Sequence, residues 1–394
     1  MTHKRILVLS VLIFVAFAIH ETKAQSSDEK TDTIKIRKEL RREKKARYIR
    51  EGKFWISPIG GPAYTPELGV IIAGGAIPSW RTDKSDTSLQ RSSIPITVSV
   101  GKGSIVLSGK ATTFWLHDNL RVYSDFWFKN MDDNYFGLGY HSGANVPKSD
   151  STTKYKRTWF QIYPQFYLKI RKNFFAGVAF DLNYTKGKNL SEGVRSDEYF
   201  MKYNERPFNV GLGAQLMLES RDVPVNAWKG WFVLAQAMAY GQYIGGQNNY
   251  QVYSLDARRY MRLFKQGQVL AVQLRGRFTS GNVPYGELSQ AGTPFDLRGY
   301  LWGQYRDNNM IFGIAEYRHK FYRGAAKNHK MSKSGAVAWV GIGSIAPDAQ
   351  FENWLPNAGL GYRFELQPRM SLRLDFGVGR GGAKGFYFNF NEAF

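Results

Sequence analysis

Arg298 sits in turn-forming sequence, with Gly292, Thr293, Pro294, Asp296 and Gly299 around it and Leu297 and Tyr300 as its apolar flanks. Glu316 and Arg318 follow on one face of an alternating run over 310–321. A guanidinium at a loop tip and a carboxylate on a strand do one kind of chemistry well: charge-assisted hydrogen bonds that fasten two segments together. Such a loop suits the inside of a polar barrel. It suits a soluble core badly, because unpaired buried charge is very costly there. Arg275 and Arg277 precede the loop on one strand face, and Arg363, Glu365, Arg373 and Asp375 follow it on two more. Charges of both signs facing one lumen can pair with the loop, or simply fill and stiffen the barrel. Bond-breaking chemistry finds no footing. His3, His20, His117, His141, His319 and His329 show no metal-ligand spacing, cysteine is absent, and neither a G-x-S-x-G elbow nor a phosphate loop occurs. No catalytic residue, metal or cofactor is expected.

Those charges need strands to aim them. Alternation predicts strands over 54–65, up to Trp80 from a turn at Pro66 to Gly69, and over 96–100, 105–115, 120–128, 156–170, 174–184, 209–218, 231–240, 252–264, 268–280, 310–321, 335–345, 358–366, 371–379 and 386–394. The count is about sixteen, an even number as a transmembrane barrel requires. Phe160, Ile162, Phe166, Leu168 and Ile170 share one face of their strand, with Gln161, Gln165 and Lys169 on the other and Trp159, Tyr163 and Tyr167 among them. Leu372, Leu374, Phe376 and Val378 likewise oppose Arg373 and Asp375. Tight turns at 117–119, 171–173, 265–267 and 367–369 fall at ends of one parity and the three longest loops at the other, although short links after the first and third strands break the pattern. Trp55, Trp80, Trp115, Trp159 and Trp231 near strand ends suit the aromatic girdles of a membrane barrel.

Composition agrees with export. Lys4 and Arg5 precede an apolar run over 6–19, and Thr22-Lys23-Ala24 ends in a small residue, the pattern of a cleaved signal peptide over 1–24. The net charge of +22 would otherwise point to nucleic acid, a partner that the export signal excludes. Residues 25–53 form a basic periplasmic tail, either solvated or folded as a short helix that plugs the barrel mouth. The barrel itself is expected over 54–394. Pro58 and Pro62 remove backbone donors and Gly60 and Gly61 remove side chains from the first strand. Its seam with a last strand carrying Phe386, Phe388 and Phe390 is therefore expected to be weak, or simply a frayed edge. Phe394 is expected to share the face of those phenylalanines.

Arg298-Gly299-Tyr300, Tyr305-Arg306-Asp307, Glu316-Tyr317-Arg318, Arg373-Leu374-Asp375-Phe376 and a terminal aromatic, in that order, resemble the BamA/TamA-type outer-membrane barrels, also called bacterial surface antigens. Tyr135-Phe136-Gly137-Leu138-Gly139 is similar to that family's segment at the same point. The resemblance implies that the loop before the twelfth strand folds into the lumen, with its arginine anchored to acids of the twelfth and thirteenth strands. Glu316 fits the first. The thirteenth reads Trp339-Val340-Gly341-Ile342-Gly343, so either Asp375 stands in or the attachment is looser. It also implies a lateral gate at the seam, Phe394 as an insertion signal read by the barrel assembly machinery, and the outer membrane of a Gram-negative bacterium, with its lipid and lipopolysaccharide, as the location. The tail is too short for even one of the family's substrate-handling repeats (POTRA domains). The expected function is a loop-restricted pore, alone or as a homo-oligomer, that favours anions. The alternative is an accessory subunit in outer-membrane protein assembly or secretion that works with other outer-membrane or periplasmic proteins.

Overall fold

The computed structural model describes residues 28–394 apart from Glu67, 324–329 and Pro368. The signal peptide expected over 1–24 lies outside the described residues. Two compact units divide at Glu51 and Gly52. The first contains α1 (Asp28–Arg50), a 23-residue helix. Leu40 and Ile49 on it are exposed, and the sequence offers too few apolar residues for a helix face to bury.

The second unit is a closed antiparallel barrel of sixteen strands. In chain order these are β1 (Trp55–Thr65), β2 (Gly69–Trp80), β3 (Ile96–Gly101), β4 (Ser104–Trp115), β5 (Leu120–Asn134), β6 (Lys154–Arg171), β7 (Phe174–Lys188) and β8 (Phe208–Glu219). The second half comprises β9 (Gly230–Tyr240), β10 (Tyr250–Arg262), β11 (Gln268–Gly281), β12 (Asn309–Arg323), β13 (Lys330–Ala346), β14 (Trp354–Gln367), β15 (Met370–Gly379) and β16 (Lys384–Phe390). Each strand pairs with its neighbours in sequence, and β1 meets β16 to close the ring.

Lipid outside and charge inside explain why these segments are strands. Ile162, Phe166, Leu168 and Ile170 of β6 point outward and are exposed, while Gln165 and Tyr167 between them are buried. Val178 and Phe180 of β7 alternate with buried Asp181 and Asn183, and Phe376 and Val378 of β15 with buried Arg373 and Asp375. A belt of exposed Val, Ile, Leu and Phe on every wall is stable only against hydrocarbon. No described helix is long and apolar enough to cross a membrane.

Three expectations need correction. β5 runs to Asn134, well beyond 128, because its upper half pairs with β6 as far as Asn134↔Lys154. Trp159 does not join an outer girdle: its ring lies edge-on to Trp127 at 5.0 Å and near Trp302 of the inward loop at 6.3 Å. Its parity places it inside with Tyr163 and Tyr167. The third correction concerns the end of the chain. β16 stops at Phe390, Asn391 turns through a positive φ of 63°, and Glu392, Ala393 and Phe394 are buried. Phe394 therefore leaves the face that Phe386 occupies and packs among inward residues, 6.4 Å from the Tyr260 ring.

The end of the barrel that carries the long loops holds α2 (Gly139–Asn145), α3 (Glu192–Arg195) and α4 (Glu198–Asn204). Ser191 and Asp197 cap the last two helices through their side chains. A buried aromatic layer of Tyr135, Tyr155, Phe200, Tyr203 and Tyr285 lies beneath them. At the opposite, tight-turn end the link over 220–229 folds back and buries Ala227 and Trp228. Arg369 stacks on the Trp228 ring at 3.4 Å and donates to the Asn226 carbonyl at 2.7 Å.

Candidate functional site: the inward loop and its charged wall

The segment between β11 and β12 is shaped before it reaches the wall. Asp296 accepts hydrogen bonds from the backbone N–H of Gly292 (3.0 Å), Thr293 (2.7 Å) and Leu297 (2.5 Å) and from the Thr293 hydroxyl (2.7 Å). An aspartate can organise a turn in this way because its two oxygens face several donors at once. Ser289–Gln290 pairs with Arg306–Asp307 and closes the loop's base as a small ladder. Arg306 is also buried, donating to the Gly303 carbonyl at 2.9 Å and the Asn134 carbonyl at 2.7 Å.

Arg298 at the tip is 0% exposed. Its two terminal nitrogens reach different strands: Nη2 lies 2.6 Å from Glu316 Oε2 on β12, and Nη1 lies 2.6 Å from Asp375 Oδ2 on β15. The guanidinium covers the Trp339 ring of β13 at 3.6 Å. The thirteenth strand thus supplies an aromatic face instead of an acid, and Asp375 supplies the second carboxylate. A planar cation over an indole gains quadrupole attraction as well as its hydrogen bonds.

The acids are shared. Arg318 Nε lies 2.8 Å from Glu316 Oε1, Arg363 Nη1 lies 2.5 Å from Asp375 Oδ1, and Arg373 Nε is 3.6 Å from Asp375 Oδ2. Glu392 joins from the chain's end, 2.7 Å from Arg363 Nε and 3.9 Å from Arg318 Nε. Arg318 also donates to the Phe394 main-chain oxygen at 2.9 Å, and Arg373 to the Pro294 carbonyl at 2.9 Å. Four guanidiniums therefore meet three carboxylates in one buried cluster.

Backbone fit is as tight as the ion pairing. Asn357 donates to the Arg298 carbonyl (3.0 Å), the Gly299 N–H donates to Tyr387 Oη (3.0 Å), and Tyr300 Oη donates to the Pro356 carbonyl (2.6 Å). The floor is a patch of glycine on β14 and β15, where Gly359 pairs with Gly377. A Cβ on Gly377 would stand 2.6 Å from the Arg298 carbonyl, and one on Gly379 would stand 2.5 Å from the Tyr300 ring. Gly299 itself has a φ of 121°, and a Cβ there would lie 2.9 Å from the Val378 backbone. Gly299→Ala is accordingly expected to lower stability by about 1–3 kcal/mol, through a strained φ and a backbone contact that cannot move aside. The temperature at which the folded band disappears on unheated gels reads this directly; an unchanged temperature would contradict the geometry.

Other candidate residues lie elsewhere. Glu365 pairs with Lys320 and is not brought to Arg298. Arg277 donates to the Ser289 hydroxyl at 3.1 Å and stands 4.0 Å from Glu287. Arg275 is solvent-accessible in register with Asp256. At the seam, Pro58, Gly60 and Pro62 face outward on the same parity as Ile56, and Gly61 faces inward. Among the described residues no three His, Asp or Glu side chains stand close enough to hold a metal ion. Neither spacing nor alternation singles out Trp339 as a partner, nor Asn357, Tyr387 or Glu392. The one available signal was the repeated Gly-x-Gly of 359–361 and 377–379, small residues on two strands that leave room for a segment above them.

No protein-family model matches the chain, and no curated protein matches it. Solved structures do match. BamA from Haemophilus ducreyi lacking POTRA domains 1-3 aligns with a TM-score of 0.58 at 12% identity, over 86% of this chain and 70% of that one. The chain has the fold of that barrel. CdiB from Acinetobacter baumannii aligns at 0.51 with 13% identity, and CdiB from Escherichia coli at 0.53 with 9% identity. In both, 86% of this chain is covered, against 59% and 62% of the CdiB chains, so the chain spans about three fifths of their length.

Proposed function

We propose that this chain is an outer-membrane barrel that acts by parting its seam, letting another protein's strands pass between the lumen and the bilayer during assembly or secretion. One observation carries this reading. β1 and β16 are joined in register only at Tyr64↔Phe388, whereas β15 and β16 pair without a break from Leu372↔Phe390 to Val378↔Lys384. The ladder from β1 to β2 runs unbroken through both prolines, so the donors that Pro58 and Pro62 lack belong on the seam edge. A strand edge with few ladder bonds is the natural place for an incoming strand to add. The charged cluster around Arg298, meanwhile, opposes movement of the loop, leaving the seam as the joint that costs least to open. Outer-membrane lipid and lipopolysaccharide would cover the apolar belt, and a partner protein would deliver the substrate.

A chain without cysteine makes the test clean. Tyr64→Cys with Phe388→Cys places two thiols on directly opposed residues, a spacing that a disulfide tolerates. Under oxidation the variant is expected to lose its ability to promote insertion of a second barrel into proteoliposomes, and to regain it with reductant. Full activity with the bond closed would reject the proposal. Arg275, accessible on the lumen side, favours a second reading as an anion-selecting pore. Conductance in planar bilayers that is undiminished by the closed disulfide would support that one instead.

A further inference from the structure

A pocket of about 470 Å³ opens at the tight-turn end of the barrel, where β1 begins and β2 and β4 end. The rings of Phe54, Trp80 and Trp115 line it with the cations Arg81 and Lys84 and with Thr82; among the described residues no carboxylate does. Three fastenings build it. The Arg81 N–H donates to the Gly52 carbonyl at 3.0 Å, which holds the start of β1 against the link that follows β2. Arg91 Nη2 donates to the Lys53 carbonyl at 3.0 Å and the Ser79 carbonyl at 2.8 Å, next to Phe54 and Trp80, whose rings lie 6.3 Å apart. The Thr82 hydroxyl donates to the Phe114 carbonyl, and Trp115 Nε1 donates to the Thr113 hydroxyl at 2.8 Å, so the third ring is fixed as well.

The charges select an anion. Asp83 and Asp86 of the same link turn to His117 of the β4–β5 turn, at 3.8 and 2.9 Å, and leave the pocket to the cations. Burial first, and then the charge of Arg81, hold the Arg91 guanidinium below its ordinary range, so two like charges press on each other beside the rings. An anion placed there relieves that repulsion and accepts charge-assisted hydrogen bonds. The rings say what the rest of the anion is. Phe54 and Trp115 are exposed, and Ile56, next on the outward face of β1, carries their apolar surface into the lipid-facing belt. Aromatic rings at that level, with Lys and Arg beside them, match a ligand that has an anionic head and a hydrocarbon body. Short turns of a transmembrane barrel face the periplasm, so the leaflet at this end is the inner one, built of glycerophospholipid. We infer that this pocket binds one anionic glycerophospholipid of the inner leaflet, its phosphate at Arg81 and Lys84 and its acyl chains running from Phe54 and Trp115 along the outer face of β1 and β4. The inference rests on the chain's place in the outer membrane, and not on whether the seam opens.

Native mass spectrometry of the full-length barrel, released from detergent after incubation with phosphatidylglycerol and phosphatidylcholine of the same acyl chains, tests it. One phosphatidylglycerol is expected to stay on each barrel in preference to phosphatidylcholine. Lys84→Gln should weaken its retention about fivefold, the effect of one basic side chain near an anionic lipid, and leave phosphatidylcholine unchanged. Phe54→Ala should weaken both lipids alike, because it removes contact with the chains and not with the head. Both side chains are exposed, so the variants should fold, and heat-modifiable gel mobility verifies that they do. Lys172→Gln, an exposed lysine in the β6–β7 turn at the same end, should change nothing. Equal retention of the two lipids by wild type, or of phosphatidylglycerol by wild type and folded Lys84→Gln, would overturn the assignment. So would a loss in Lys172→Gln as large as in Lys84→Gln, which would mean attraction by the whole basic rim, or displacement of the lipid by millimolar inorganic phosphate, which would mean a site for the anion alone. A chain that stays folded in water without detergent and takes up neither lipid would overturn the membrane reading with it.

Discussion

Replacing Asp375 with asparagine is expected to destabilise the barrel by about 3–5 kcal/mol, the cost of breaking a buried ion pair from one side. Replacing Arg298 with methionine should cost less, although Arg298 is the residue at the loop tip. The sharing of partners decides the order. Four guanidiniums share three side-chain carboxylates, and Arg318 also donates to the Phe394 main-chain oxygen. Losing Arg298 leaves Glu316 with Arg318 and Asp375 with Arg363 and Arg373. Losing the Asp375 carboxylate strips Arg298 and Arg363 of close partners at 2.6 and 2.5 Å. Both groups are buried, so water cannot take over. Denaturant unfolding of the two variants in detergent or lipid vesicles checks the order. A double-mutant cycle should show that the two effects are far from additive, because one pair joins them. If Arg298→Met proved the more damaging, tethering of the loop would outweigh the sharing of Asp375 among the guanidiniums.

The architecture was legible because the solvent is different on the two faces of every strand. Hydrocarbon outside and charge inside impose a strict period of two, and Phe166 and Leu168 against Gln165 and Lys169 display it as plainly as any helix displays its own. The same period puts Trp159 on the polar face of its strand, and only its place near a strand end argued for an outer girdle, since indole suits both an interface and a crowded lumen. Trp159 went inward for contacts with Trp127 and Trp302, which are remote in sequence. Trp339 is a similar case: next to a loop arginine an aromatic face can take the place of an acid, but only the three-dimensional register places β13 under Arg298. The base of the loop was hidden for another reason. Ser289–Gln290 and Arg306–Asp307 form a ladder too short to generate a pattern, yet it sets where Asp307 points. Glu392 was the hardest to foresee, because alternation reads through Asn391 as if the strand continued.

The end of the chain supports a prediction in which two roles of one residue come apart. Glu392→Gln removes a carboxylate 2.7 Å from Arg363, but Arg363 keeps Asp375 at 2.5 Å. A cost of about 1.5–3 kcal/mol is expected, in the range for a hydrogen bond to a charged group and below that of Asp375. Removing residues 391–394 should add the burial of Phe394, about 1.5–3 kcal/mol for a large apolar side chain, because Tyr260 and Arg318 would lose the ring beside them. Phe394→Ser separates the two contributions, leaving Glu392 in place. It also separates packing from recognition. A terminal aromatic read as an insertion signal acts on the unfolded chain, before it can turn inward, so its loss slows assembly without regard to the final fold. Packing acts only after folding, so its loss lowers the unfolding midpoint of whatever barrel has formed. Measuring both the yield of membrane-inserted barrel and the midpoint for Phe394→Ser and Phe394→Leu distinguishes them. A normal yield with a lowered midpoint would make Phe394 a packing residue alone. A reduced yield restored by no aliphatic side chain, with an unchanged midpoint, would mean the inward contact with Arg318 contributes little to holding the barrel together.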